Sequence, residues 1–226
     1  MNKQLFFLIL ATGITLPFFS TSQVKDFQSW NSLSVEWGLT KKVSLWAEQE
    51  FRFEENASML GSFNTVCGVQ YRINSLIRVS GAYRYSYNHD NKDIIEQDHR
   101  FYADIMIRYK LDRFTASYRP RYQMVFQQPT KDPFSHYNPQ HIRHKLAVKY
   151  NIPNTPLTPF VDCELYESLN NPVKNTIEKT RYTAGVGYPI NKIVTLEVYY
   201  RLEHRSDYIH KDRVSNILGF SCNLEF

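Results

Sequence analysis

Five short stretches of this chain share one order of residue types: Trp37-Gly38-Leu39-Thr40-Lys41, Tyr71-Arg72-Ile73-Asn74-Ser75, Tyr109-Lys110-Leu111-Asp112-Arg113, Tyr150-Asn151-Ile152-Pro153-Asn154 and Tyr188-Pro189-Ile190-Asn191-Lys192. Each stretch joins two extended runs in which apolar and polar residues alternate, a pattern typical of β-hairpins. The leading aromatic residue lies on the apolar face of its strand, always at the same distance from the turn. Such a row indicates one lipid–water boundary of a membrane barrel, here a periplasmic girdle of Trp37, Tyr71, Tyr109, Tyr150 and Tyr188.

Alternation with period two extends along the rest of the chain and predicts the strands. The runs lie near residues 30–39, 43–54, 62–73, 76–88, 98–109, 113–127, 140–150, 159–168, 179–189, 193–205 and 212–226. These lengths suit tilted membrane strands, which need about nine to eleven residues each. The fold class expected is therefore all-β, an antiparallel up-and-down transmembrane β-barrel of 10–12 strands.

The number of runs is odd, whereas single-chain bacterial barrels have even numbers of strands. We expect either that residues 23–31 contain a short additional strand or that the first run is not a full part of the wall. Short turns conventionally face the periplasm and long loops the exterior. The extracellular segments expected are 55–61, 88–97, 127–139, 169–178 and 205–211.

The two ends of the chain indicate where the protein is delivered. Lys3 precedes an apolar run that ends in small residues, which is typical of a secretory signal, so residues 1–22 are predicted to be a signal peptide and 23–226 the barrel. The last strand, ending at Phe226, resembles the closing strand of Gram-negative outer-membrane proteins, which the barrel-assembly machinery reads. The predicted location is the outer membrane of a Gram-negative bacterium, with membrane lipids as partners; the oligomeric state stays open.

Composition excludes other classes of function. The net charge is +5 and no block of Lys and Arg occurs, so nucleic acid is not expected as a partner. The three cysteines fit no metal motif, and no metal or cofactor is predicted. The seven histidines all fall near the long-loop end, as either a metal-binding or pH-sensing rim or ordinary loop residues. They are His89, His99, His136, His141, His144, His204 and His210.

Charged residues occupy the face opposite the apolar one, which would line the lumen. The predicted lumen charge network comprises Glu48, Glu50, Arg52, Arg84, Asp104, Arg119, Arg121, Glu164, Arg201 and Glu203. Such residues form either a structural salt-bridge network or an anion-preferring constriction. Trp46, Tyr102, Tyr166 and Tyr199 also point inward by parity, which favours a largely filled lumen over a wide pore.

Three functions remain open at this level. The first is a structural barrel or narrow channel without enzymatic activity. The second is a lipid-modifying enzyme in the outer leaflet, whose catalytic candidates are His204, Ser206 and Asp212, with a His-x-Ser order similar to that of outer-membrane lipid A deacylases. The third is a soluble periplasmic barrel that binds lipids in an apolar interior.

Four segments carry a resemblance to a known family: Trp30-Asn31-Ser32-Leu33, Glu48-Gln49-Glu50-Phe51-Arg52-Phe53, Gly81-Ala82-Tyr83-Arg84-Tyr85 and Tyr118-Arg119-Pro120-Arg121-Tyr122. With the repeated hairpins, they make the chain resemble an uncharacterised family of outer-membrane barrels, domain of unknown function 2490. The resemblance covers nearly all of the chain after the signal. It implies location and fold, and no catalytic residue.

Overall fold

Eleven β-strands close into a single barrel in the computed structural model, which describes residues 24–89, 95–127, 138–171, 175–206 and 212–226. The strands are β1 Val24–Gly38, β2 Val43–Glu54, β3 Met59–Arg72, β4 Ile77–His89, β5 Ile95–Leu111, β6 Phe114–Gln127, β7 Gln140–Tyr150, β8 Thr158–Ser168, β9 Ile177–Pro189, β10 Val194–Arg205 and β11 Arg213–Glu225. Consecutive strands pair antiparallel. The predicted fold class is confirmed.

Three of the five repeated turns are stabilised by one shared device. The side-chain oxygen of Asn74 accepts hydrogen bonds from the backbone amides of Leu76 and Ile77, both at 2.8 Å. Asn191 does the same for the amides two and three residues ahead of it, and Thr40 does so with its hydroxyl. Short polar side chains favour turns because they satisfy amides that the ladder leaves unpaired. In these three turns, the polar residue three positions after the leading aromatic residue thus stabilises the hairpin locally.

Strand β1 closes the barrel, and both explanations expected for the odd number of strands are wrong. It is one continuous strand of 15 residues, hydrogen-bonded to β2 on one side and, in parallel, to β11 on the other. Residues 24–31 therefore belong to β1 itself, and β1 is a full part of the wall. Because β1 and β11 run in the same direction, an odd number of strands closes without an open edge.

The apolar face of the strands points outward. Its exposed side chains include Leu33, Leu45, Ile105, Leu146 and Phe220. The interior is polar: Glu50, Asp104, Arg121, Glu164 and Arg181 are all buried. A soluble lipid carrier requires the opposite arrangement, so the described residues do not support that hypothesis.

The two ends of the barrel differ in their connections. At the short-turn end, strands are joined through residues 39–42, 73–76, 112–113, 151–157 and 190–193. At the opposite, long-loop end, residues 55–61 do not form the loop expected from the sequence. Strand β3 already begins at Met59, so a tight four-residue turn joins it to β2, with Glu55, Asn56 and Ala57 at positive φ. Much of the other four segments, namely 90–94, 128–137, 172–174 and 207–211, lies outside the described residues. No helix in the described part of the chain has the length and apolarity of a helical membrane span.

Candidate functional site

The lumen contains two cavities stacked along the barrel axis. The upper cavity, towards the long-loop end, has a volume of about 400 Å³, and the lower cavity has about 420 Å³. Five side chains line both cavities: Trp30, Arg52, Arg84, Arg143 and Arg181. We call these five residues the arginine belt. Any solute that passes through the barrel has to pass the belt.

Trp30 is the apolar centre of the belt. Its side chain is buried in the lumen, and its indole nitrogen donates to the Gln28 side-chain oxygen at 2.9 Å. The Arg52 guanidinium carbon lies 3.8 Å from the centre of the indole ring, and that of Arg181 lies 5.0 Å away. Cations stack favourably on an indole face, so Trp30 holds guanidiniums from strands β2 and β9 against one surface.

Two carboxylates hold the belt from below. Glu50 accepts ion-pair contacts from Arg52 at 2.7 Å and Arg84 at 3.0 Å. Glu164 is shared by three guanidiniums, with Arg143 at 2.8 Å, Arg119 at 3.3 Å and Arg181 at 3.5 Å. Both carboxylates are buried, where charge-assisted contacts are strong. Guanidiniums outnumber carboxylates at the level of the belt.

The remaining predicted lumen charges lie above and below the belt. Asp104 pairs with Arg121 through two contacts of 2.5 and 2.6 Å. Glu203 pairs with Arg181 at 2.6 Å. Glu48 lines the lower cavity without an ion pair to a described residue, and Arg201 lines it while donating to the Thr183 hydroxyl at 3.0 Å. The structure thus brings the predicted residues into one lumen, where they lie at the belt, above it and below it.

Several charges of the lumen were missed by sequence reasoning. Arg143, Arg181, Asp162 and Lys179 all point inward, and two of them belong to the belt. They could have been predicted from the alternation of β7, β8 and β9, because each lies at a position that faces the lumen. Trp30 was noticed only as part of a motif, since its inward direction depends on the start of β1.

The two cavities differ in charge among the described residues. The upper one is lined by eight cations, namely Arg52, Arg84, Arg100, Arg143, Lys179, Arg181, Arg205 and Arg213, and by four carboxylates, Glu54, Glu96, Asp98 and Glu203. The lower one is lined by nine cations and seven carboxylates. The excess of positive charge is therefore larger in the upper cavity.

The predicted girdle residues lie at the short-turn end on the outer face. Trp37, Tyr71, Tyr109 and Tyr188 are exposed there, and Tyr150 packs against Phe114 with ring centres 4.7 Å apart. At the long-loop end, Phe63 stacks on Tyr87 at 5.4 Å. An apolar band between two aromatic rows is typical of membrane barrels.

The three catalytic candidates come together, but in the wrong order for a Ser-His-acid mechanism. The Asp212 carboxylate accepts a hydrogen bond from the Ser206 hydroxyl at 3.0 Å and lies 3.7 Å from the His204 ring nitrogen. In a triad the histidine lies between the nucleophile and the acid, because it takes the hydroxyl proton. Here the acid lies in the middle, so nothing in this contact activates Ser206.

The other histidines make separate contacts. His141 lies 3.0 Å from Glu178, while His99 and His144 are hydrogen-bonded to Tyr83 and Tyr118 on the outer face. His136 and His210 lie outside the described residues. Within the described ranges no group of three or more His, Cys, Asp or Glu side chains could hold a metal ion.

Comparison with known proteins places the chain by family and by fold. A family model described as "Protein of unknown function (DUF2490)" matches residues 27–213. A comparison with curated proteins gives no match.

Among solved structures, the chain is similar to a bacterial polysaccharide outer membrane secretin, with a TM-score of 0.55 and 10% identity, over 80% of this chain and 63% of the secretin. It is also similar to the NanC porin, with a TM-score of 0.50 and 14% identity, over 78% of this chain and 86% of the porin. At these identities the likeness concerns the fold alone. The chain has the fold of membrane barrels.

Proposed function

This chain belongs to the family described as Protein of unknown function (DUF2490), and from that premise we propose that it is a narrow, porin-like channel that passes small anions, without enzymatic activity. The observation that carries the proposal is the divided lumen: two polar cavities that meet at a belt of four guanidiniums. A barrel that served only as a scaffold would have no need of polar space on both sides of such a belt.

The electrostatics of the belt favour anions. Arg52, Arg84, Arg143 and Arg181 line both cavities, and the carboxylates Glu50 and Glu164 are each shared between several guanidiniums. Charge of one sign in a constriction with low-dielectric walls concentrates ions of the opposite sign. Rings of Arg and Lys are used in this way by anion-selective pores. An anion that passes the belt therefore meets guanidinium hydrogen-bond donors, whereas a cation is repelled by their positive charge.

The location proposed is the outer membrane of a Gram-negative bacterium. The outward apolar band, the aromatic rows and the likeness to outer-membrane barrels support it. In this proposal residues 1–22 are removed after export, and the barrel-assembly machinery reads the strand that ends at Phe226. Membrane lipids then cover the outer face.

Planar-bilayer recording of the purified protein tests the channel. We expect small discrete conductance steps and a reversal potential in a KCl gradient that indicates chloride preference. The variants Arg84→Glu and Arg201→Glu are each expected to shift the reversal potential towards potassium, and the combined variant to invert the preference. Arg201 has no ion pair with a described carboxylate, so its reversal does not break a pair.

Lys110→Glu is the matched control, because it makes the same change in charge at an exposed site of the short-turn end. It is expected to leave the reversal potential nearly unchanged. Heat-modifiable gel migration checks that every variant is folded. Absence of conductance steps in the folded wild-type protein would contradict the channel and favour a structural barrel.

A further inference from the structure

Cations face one another directly across neighbouring strands of the lumen wall. In the register of β4 to β7, Arg84 is opposite Arg100, Arg121 is opposite Arg143, and Arg119 is opposite Lys145. Like charges directly opposite are destabilising in a sheet. Local rules of this kind are broken mainly at functional sites. The cations on this wall are therefore better explained by a function than by a contribution to stability.

Most of these cations form an ion pair with a carboxylate, whereas Arg100 forms none with the residues that the structure describes. Arg121 pairs with Asp104, Lys145 with Asp162, and Arg84 with Glu50. The buried Nε atom of Arg100 also has no hydrogen-bond partner within the described ranges. Asp98 acts on it at longer range and accepts a hydrogen bond from Asn88 at 3.1 Å.

Arg100 lines only the upper cavity. Besides the charged side chains already described, six uncharged hydrogen-bonding groups line this cavity: Gln28, Ser62, Asn64, Ser86, Asn88 and Ser215. Hydroxyl and amide side chains can both donate and accept, so they match the hydroxyl groups of a solute. The cavity of about 400 Å³ lies in the range of small-ligand sites. A net positive cavity that contains Arg100, which has no ion pair among the described residues, together with several hydroxyls and amides, suits a hydroxylated anion.

We propose that the upper cavity is a saturable binding site for a sugar-sized, hydroxylated organic anion, whose carboxylate or phosphate is held by Arg100. This inference rests on the proposed channel and deepens it by naming the class of solute. The guanidinium supplies planar donors that suit either anionic group. The belt below carries Arg84 and Arg143 to the same cavity, so a bound anion is already at the entrance to the constriction.

Calorimetric titration of the folded protein in detergent tests the site with three probes: glucuronate, glucose 6-phosphate and glucose. We expect at least one of the two anions to bind, with an affinity that falls as salt is added, and glucose to bind far more weakly. The tighter anion identifies the charged group. Fluorescence of Trp30, which lines this cavity, is expected to change on binding.

Arg100→Gln is expected to raise the Kd about 10- to 100-fold, the range for loss of a hydrogen bond to a charged group. Arg100→Lys should keep much of the affinity because it keeps the charge. Arg78→Gln is the matched control: Arg78 lines only the lower cavity and has no ion pair with a described carboxylate. Its Kd should stay within about twofold of wild type.

The proposed site would be overturned if glucose bound as tightly as the anions, or if Arg100→Gln and Arg78→Gln lost the same amount of affinity. So would the absence of binding by wild-type protein, even if chloride currents are present. Binding without any conductance would instead contradict the channel and leave the site intact. The two proposals can thus fail separately.

Discussion

Asp104 and Ile105 are neighbours on β5, yet Asp104 lies in the polar lumen and Ile105 on the apolar outer face. The Asp104 carboxylate is 6% exposed and held by Arg121 from the next strand, whereas the Ile105 side chain is 48% exposed on the outer face. The outer face requires only an apolar class of residue, since lipid provides no specific partner. The inner face requires a specific partner at a specific position. The comparison of the two faces leads to three predictions of decreasing size.

The largest effect is expected from breaking a buried charge pair on the inner face. Asp104→Asn replaces one of the two oxygens that accept from Arg121 with an amide NH2 group and removes the negative charge, so the buried guanidinium loses its ion pair. Such losses cost about 3–5 kcal/mol of unfolding free energy. Guanidinium denaturation in lipid vesicles, followed by tryptophan fluorescence, measures the change.

The control for this prediction is a polar pair on the outer face. The Thr65 hydroxyl donates to the Gln49 side-chain oxygen at 2.6 Å, and Thr65 is exposed. Thr65→Val is expected to change the unfolding free energy by no more than about 1 kcal/mol. Similar losses in both variants would break the comparison between the faces.

The second effect concerns depth on the outer face. Ile105 lies six residues above Leu111 on β5, about 15 Å along the barrel axis. Ile105→Arg is expected to lower the unfolding free energy by about 2–4 kcal/mol, as at a bilayer midplane. Leu111→Arg, at the short-turn end, should cost about 0–1 kcal/mol. Equal costs for the two variants in the same vesicle assay would argue against a bilayer around this face.

The smallest effect distinguishes two glycines by the face on which they lie. A Cβ atom at Gly219 would collide with the ring of Tyr199 inside the lumen, whereas a Cβ at Gly81 would meet nothing within 4 Å. Gly219→Val is expected to cost about 1–3 kcal/mol through overpacking. Gly81→Val should be neutral or slightly stabilising because valine favours strands. Denaturation midpoints of the two variants test this, and a stable Gly219→Val would show that the lumen yields easily.

Strand positions could be predicted well because their signal is local. Strands β2 and β7 have the predicted bounds, and most others differ by one to three residues. The main error was β1, predicted from residue 30 but beginning at Val24. Its early part weakens the alternation, since Ser29 and Asn31 face outward while Trp30 faces inward. A tryptophan inside and polar residues outside oppose the pattern that marks the other strands.

The candidate site was predictable only in outline. Parity places Arg84 and Glu50 inside, but no rule of spacing joins them, because they come from β4 and β2 and meet across β3. The belt brings Trp30, Arg52 and Arg181 together from β1, β2 and β9. Such contacts depend on barrel closure and side-chain reach.

By itself, the sequence determined the faces of most strands after β1, the ends of the hairpins and the membrane character of the wall, because period-two alternation and turn chemistry act between residues close in the chain. Only the tertiary structure decided the parallel closure of β1 on β11, the division of the lumen and the absence of a carboxylate partner for Arg100 among the described residues. Those features arise where strands distant in sequence face one another across the lumen. The distances between them are set by the closed barrel as a whole.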